Sequence, residues 1–281
     1  MPAKIEKPIY LFVDTDIFVQ CCRLERDGDD EISIDTLLKI LDENRCQLIL
    51  PEVVKKEFFK QINERSYHEW ADNFKKSHSP LRELAAQSQS QTSKTSKISA
   101  TSSTNNYNQK LENRCQDNFD KFLDEQVKLF KKTQSKIEKI FAHRNTKLIT
   151  FREADLFVAY QAFLSGIKPT KSGNAIQSDA VTLAGISRYL KNKKGFRLII
   201  CSHNCNDFAA DGITSDKGSE NSVPVHRDVA DQLNGDCELY LFLSVVLNKV
   251  FGVKLKIEED KTEEIIDTPK SEESKLVGLS K

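Results

Sequence analysis

Short apolar runs alternate along the chain with longer segments in which apolar residues recur every three to four positions. Ile9-Tyr-Leu-Phe-Val13 stops abruptly at Asp14-Thr-Asp16, the pattern of a buried strand whose carboxyl end delivers polar side chains. Ile34, Leu37, Leu38 and Leu41 follow at helical spacing, with Ser33 or Asp35 placed to cap the start. Gln47-Leu-Ile-Leu50 reads as a second strand halted by Pro51, and Val53, Val54, Phe58 and Ile62 stripe the next helix. Strand, helix, strand, helix predicts an α/β fold with a parallel sheet and right-handed crossovers.

The pattern changes beyond about residue 78. From Gln87 to Asn108 nearly every residue is Ser, Thr, Gln, Asn or Lys, and Ile98 is the only large aliphatic. Such a stretch buries too little surface to offset the entropy of ordering, so a disordered segment is expected over about 85–109. Helical patterning flanks it, over Tyr67–Lys76 and over Leu111–Phe141 with Phe119, Phe122, Leu123, Val127, Phe130 and Ile137. The expectation is a long helical insertion, an arm over about 66–145 within a single domain spanning 1–256.

Regular patterning resumes in a helix over Ala154–Leu164, closed by Gly166 and Pro169. A polar loop, Lys168 to Asn174, leads to a helix over Gln177–Leu190. The strand Phe196–Cys201 then runs into Ser202-His-Asn-Cys-Asn-Asp207, and a strand-helix unit covers roughly Glu238 to Phe251. The remainder, 257–281, is charged and reads as a flexible tail.

Composition narrows the function classes. The chain has 281 residues with 42 basic and 42 acidic side chains, a formal charge of zero. A protein that coats nucleic acid needs a net basic footprint, so that class is disfavoured, whereas an enzyme holding one strand in a local groove is not. Seven cysteines, an odd number without any C-x-x-C, argue for reduced thiols rather than a disulfide scaffold. With no apolar stretch long enough to span a bilayer and no apolar leader before the first strand, a cytoplasmic protein is expected.

The candidate chemistry lies in acids at element ends. Asp14 and Asp16 follow the first strand, Glu57 lies inside the helix after the second, Asp179 opens a later helix and Asp207 follows the late strand. In an open parallel sheet ligands bind outside the carboxyl ends of the strands, where strand order reverses. Two carboxylates about 4 Å apart repel by roughly 4 kcal/mol at an effective dielectric near 20. A cluster of them therefore calls for a hard cation or for protonation, and Mg²⁺ or Mn²⁺ suits an all-oxygen donor set.

Four segments resemble the motifs of PIN-domain nucleases. Leu11-Phe-Val-Asp-Thr-Asp-Ile-Phe18 looks like their opening strand, and Leu50-Pro-Glu-Val-Val-Lys-Lys-Glu57 resembles their second motif, a Pro ahead of a helix carrying Glu. Ser178-Asp-Ala-Val-Thr-Leu-Ala184 is similar to the third, and Leu198-Ile-Ile-Cys-Ser-His-Asn-Cys-Asn-Asp-Phe208 to the closing strand of a bacterial PIN-like branch. The resemblance implies a metal-dependent nuclease acting on RNA ahead of DNA, with single-stranded DNA also a possible substrate, and with Mg²⁺ or Mn²⁺ as cofactor. It also implies protein partners that restrain or activate the enzyme, and it leaves oligomerisation open. Carried over by position, Asp14, Glu57, Asp179 and Asp207 would be catalytic. The metal would be held by these four with Asp16 and Asn204. Asp16 stands where relatives usually have Asn, and Asn204 where many have an acid.

Other readings compete. Asp14-Thr-Asp16 after an apolar strand also looks like the D-x-D motif of haloacid-dehalogenase-like phosphatases, with Asp14 as nucleophile and Asp16 as general acid. A PIN-like fold that binds nucleic acid without cleaving it is the other alternative, and Asn204 keeps it open. Cys201, His203 and Cys205 lack a second ligand pair at zinc spacing, which argues against a zinc site. Lys168, Lys171, Arg188 and His203 flank the acids and are candidate phosphate contacts.

Overall fold

The computed structural model describes residues 7–23, 31–62, 121, 124–169, 178–213, 221–233 and 236–254. The segment expected to be disordered, the helical pattern over 67–76, the first part of the helix from Leu111, Lys171 and the tail lie outside these residues.

Strands β1 (Ile9–Val13) and β2 (Gln47–Pro51) are the two apolar runs, and both end buried. With β3 (Thr146–Ile149), β4 (Arg197–Cys201) and β5 (Cys237–Tyr240) they form one five-stranded sheet. Its order is β3-β2-β1-β4-β5 and every pairing is parallel. The chain thus moves outward from β1 through β2 to β3, then returns to place β4 on the other flank of β1. That reversal is the topological switch point of an open α/β sheet, and it opens between the carboxyl ends of β1 and β4. Register fixes the edges of the opening: Val13 pairs with Cys201, and Asp14 N donates to Cys201 O at 2.9 Å.

Helices α1 (Thr15–Arg23), α2 (Glu31–Asp42) and α3 (Glu52–Gln61) belong to the first half of the chain. A further helix, α4, covers 124–141. Then come α5 (Glu153–Leu164), α6 (Ser178–Leu190), the single turn α7 (Cys205–Phe208), α8 (Arg227–Leu233) and α9 (Leu243–Lys249). Helix α6 packs on β2 and β3 and against α5 and α8, whereas α9 packs on β4, β5 and α2.

Helix α1 was not expected from the sequence. Its Ile, Phe, Val and paired Cys residues are poor helix formers, and Thr15, Ile17, Phe18, Val19, Cys21 and Cys22 are all buried. Tertiary burial, with Asp14 Oδ1 accepting from Thr15 N at 2.7 Å, overrides local propensity. Strand β3 also escaped notice, because an edge strand of four residues with its middle pair exposed shows no apolar run. Part of the expected insertion contributes to the core: Phe130, Ile137, Ile140 and Phe141 of α4 join the main hydrophobic cluster.

Candidate active site

Three separate segments deliver four acids to the switch point. Asp14 caps the end of β1, Asp16 sits in the first turn of α1, Glu57 lies midway along α3 and Asp179 in the first turn of α6. With Thr15, Lys60, Gln61, Ser178, His203 and Asn204 they line one cleft of about 510 Å³. The structure therefore brings together Asp14, Asp16, Glu57, Asp179 and Asn204. Asp207 is close by but not on the cleft wall: it is 1% exposed and lies behind Asn204.

Each acid is held by named donors. Asp14 takes Thr15 N on Oδ1 and the Ser202 hydroxyl on Oδ2, both at 2.7 Å, and the Ser202 oxygen accepts from Asn204 N at 3.0 Å. Asp16 takes Ile17 N on Oδ1 at 2.8 Å and His203 N on Oδ2 at 3.2 Å. The His203 ring meets the same carboxylate, with Nδ1 3.6 Å from Oδ2, and leans edge-on against Phe242. Glu57 accepts from the Thr15 hydroxyl at 3.1 Å. Asn204 Nδ2 donates to Asp179 Oδ2 at 2.7 Å and also to Asp207.

Charge shapes the site's protonation. Burial pushes the Asp14 carboxyl well above the usual carboxylate range, the charges of Asp16 and Asp179 push it further, and the Ser202 and Thr15 hydrogen bonds pull back. Burial also raises Asp179 to about 7, helped by Asp207, Glu57 and Asp16. Carboxyls driven toward protonation by burial and by neighbouring carboxylates mark a site short of positive charge.

A hard divalent cation fits this donor set. Among the described residues no group of three or more His, Cys, Asp or Glu side chains is arranged to hold a metal ion as it stands. Mg²⁺, however, keeps several waters and is bound through one or two protein carboxylates plus substrate phosphate. Asp14, whose affinity for a proton the charge of Asp179 raises, and Asp179 itself are the two carboxyls that would meet that demand.

Ser202, Thr15 and Lys60 are site residues that the sequence reading passed over. Ser202 and Thr15 are small polar residues beside motif acids: the β1–β4 register brings Ser202 to Asp14, and the packing of α1 against α3 brings the Thr15 hydroxyl to Glu57. Lys60 lies one turn beyond Glu57, a spacing that puts both on one helix face and could have flagged it. Two basic candidates prove to be engaged elsewhere. Arg188 forks onto Asp155 at 2.7 and 3.0 Å, and Lys168 pairs with Asp211 at 2.8 Å.

An all-parallel sheet of order 3-2-1-4-5 with an acid-lined cleft at its switch point defines an open α/β domain whose cleft lies where such sheets bind ligands. The chain belongs to the PIN-domain family, whose model matches residues 11–208. No curated protein matches the chain, and no solved structure does. PIN domains are generally nucleases that use divalent metal ions, so the family points to nuclease-type chemistry on nucleic acid.

Proposed function

We propose that this protein is a metal-dependent ribonuclease, hydrolysing phosphodiester bonds at the cleft formed by Asp14, Asp16, Glu57 and Asp179. The observation that carries the reading is convergence: acids from three separate segments line one cleft at the switch point, and Asp14 and Asp179 are both driven toward protonation. A bound Mg²⁺ or Mn²⁺ would activate a water and offset charge building on the phosphodiester. RNA is placed ahead of single-stranded DNA by family analogy alone.

The residues divide the work by position. Asp14 and Asp179 would hold the cation, and Ser202 and Thr15 N fix the Asp14 carboxylate so that its orientation is set before substrate arrives. Glu57, steadied by Thr15, and Asp16, steadied by His203 N, face the same cleft and are placed to orient the attacking water and take its proton. Lys60 at the cleft wall offers a positive group to a substrate phosphate. Asn204 and the buried Asp207 act on Asp179 from behind. A phosphatase using Asp14 as nucleophile fits less well, because both of its oxygens already accept hydrogen bonds and only 8% of the residue is exposed.

The test is cleavage of end-labelled single-stranded RNA and DNA with Mn²⁺, Mg²⁺ or EDTA, comparing wild type with Asp14→Asn and Asp179→Asn. Metal-dependent cleavage lost in both variants supports the proposal. Folded wild type that binds these strands without cutting them would make the protein a binding module. Release of phosphate from small phosphoesters would favour the phosphatase.

A further inference from the structure

Helix α5 is apolar nearly all round. From Leu156 to Leu164 it contains no charged residue. Its inner face is Asp155, Ala159 and Ala162, buried against the domain, and Asp155 is neutralised there by Arg188. Its outer face carries Leu156, Phe157, Tyr160 and Leu164, which share one side of the helix at spacings of three, four and seven. These four are 42–65% exposed. Phe151 and Ile167, on the chain entering and leaving the helix, are exposed as well.

A helix that is hydrophobic all round is ordinarily buried all round. Scattered exposed apolar residues need no explanation, but a contiguous apolar patch beyond a few hundred Å² marks an interaction surface. Side chains of this size present on the order of 200 Å² when fully exposed, so the six leave roughly 600 Å² of apolar surface uncovered. A stable homodimer of standard size takes about 800 Å² from each partner. About 65% of that is apolar, close to 500 Å². The outer face of α5 together with Phe151 and Ile167 at its two ends supplies this amount.

We propose that two copies of this chain pair through the outer faces of their α5 helices. Two-fold pairing sets an identical patch against itself, so the patch must be self-complementary. A stripe with no charge meets that condition, because no ionised group has to be stripped of water. Arg152 and Glu153 at the start of the helix would fall at the rim, where solvated charge is tolerated. The inference does not depend on the nuclease reading, since it uses none of the cleft residues.

The experiment is the molar mass of the full chain at micromolar concentration, by size exclusion with light scattering and by sedimentation velocity. The expected result is twice the 32.0 kDa chain mass. A variant carrying Phe157→Glu and Leu164→Glu should halve it with an unchanged circular dichroism spectrum, because neither side chain is buried within its own chain. Its thermal transition should stay cooperative while falling by what association had contributed. A single-chain mass for wild type overturns the proposal, as does a double mass that survives in a folded variant. If the wild-type mass is single and amide exchange shows α5 protected, the cover is another segment of the same chain and the dimer is ruled out.

Discussion

The side-chain amide of Asn204 stands between Asp179 and Asp207, donating to Asp179 Oδ2 at 2.7 Å and to Asp207 Oδ2 with its other hydrogen. An amide has two donor hydrogens and ends in a carbonyl on its other branch. Pointing the carbonyl at two carboxylates would add repulsion to repulsion, so the surroundings settle which branch faces inward. A neutral group thus ties two acids together at the position where the PIN-domain resemblance implies an acid.

Asn204→Ala should therefore destabilise the protein even without metal. It removes hydrogen bonds to two carboxyl groups, one of them fully buried, and the expected loss is roughly 1–3 kcal/mol. Asn204→Asp should cost more in EDTA, since it sets a third carboxylate among the others, and should recover more than wild type when Mn²⁺ is added. Urea unfolding with and without Mn²⁺ reads both effects. Unchanged midpoints in both variants would mean that the amide is not what holds the pair.

The raised carboxyls give the metal-free protein a definite pH dependence. Asp179 titrates near 7 in the folded chain against an ordinary value of 3.8. Between those values the folded state keeps a proton that the unfolded state has lost, so stability falls as pH rises across the window and levels off above it. Asp14 acts in the same direction. Glu31 and Glu238 are lowered by Lys132, Lys136 and Arg197 and oppose this, but only below the usual carboxylate range. The thermal midpoint in EDTA should thus be higher near about pH 5 than near about pH 8. Mn²⁺ should raise it at the upper pH, and Asp179→Asn should flatten the profile and blunt the metal effect. A midpoint that climbs across this range in EDTA and ignores Mn²⁺ would count against the acidic cluster as described.

How much of this was legible beforehand follows from the kind of signal each residue carries. Asp14, Glu57 and Asp179 stand where an apolar run or a helix stripe makes the element plain, and the order of elements was enough to place them at one sheet edge. Asp207 sits beside the same strand end, yet whether it faces the cleft or the interior depends on the single turn α7, which no periodicity announces. The Ser202 contact to Asp14 spans 188 residues and exists only through the β1–β4 register. Arg188 looked like a phosphate contact because its partner, Asp155, lies on another helix and reads in the sequence as an ordinary first-turn acid.

That pairing makes Arg188 a structural residue. Asp155 is 3% exposed and takes Arg188 Nε and Nη2, with Arg152 N on the same carboxylate at 3.0 Å. Arg188→Met would leave a buried charge largely uncompensated, at a cost of roughly 3 kcal/mol. The lower end of the usual range applies because water reaches the guanidinium. Well below its melting temperature the variant should still cleave RNA at close to the wild-type rate. A large drop in cleavage with unchanged stability would instead return Arg188 to the substrate.

The last helix of the expected insertion gives the sharpest stability prediction. Phe141 on α4 packs edge-to-face on Phe18 and Phe58, with ring centroids at 5.1 and 5.2 Å, and Phe18 and Phe58 are themselves in contact. These rings sit on the two helices that carry Asp16 and Glu57, so the cluster joins the insertion to the walls of the cleft. Phe141→Ala should cost about 3–5 kcal/mol through lost burial and the cavity left behind. In a domain of this size each kcal/mol lowers the melting temperature by about 2–4 °C, so a drop of roughly 6–20 °C is expected. Phe141→Leu should cost less than half as much, because it keeps most of the apolar volume. If Phe141→Ala costs under about 1 kcal/mol, the site has collapsed around the cavity or the helix is peripheral to the fold, and the Leu variant separates the two. A peripheral helix leaves both variants near wild type, whereas collapse leaves Leu the more stable of the pair.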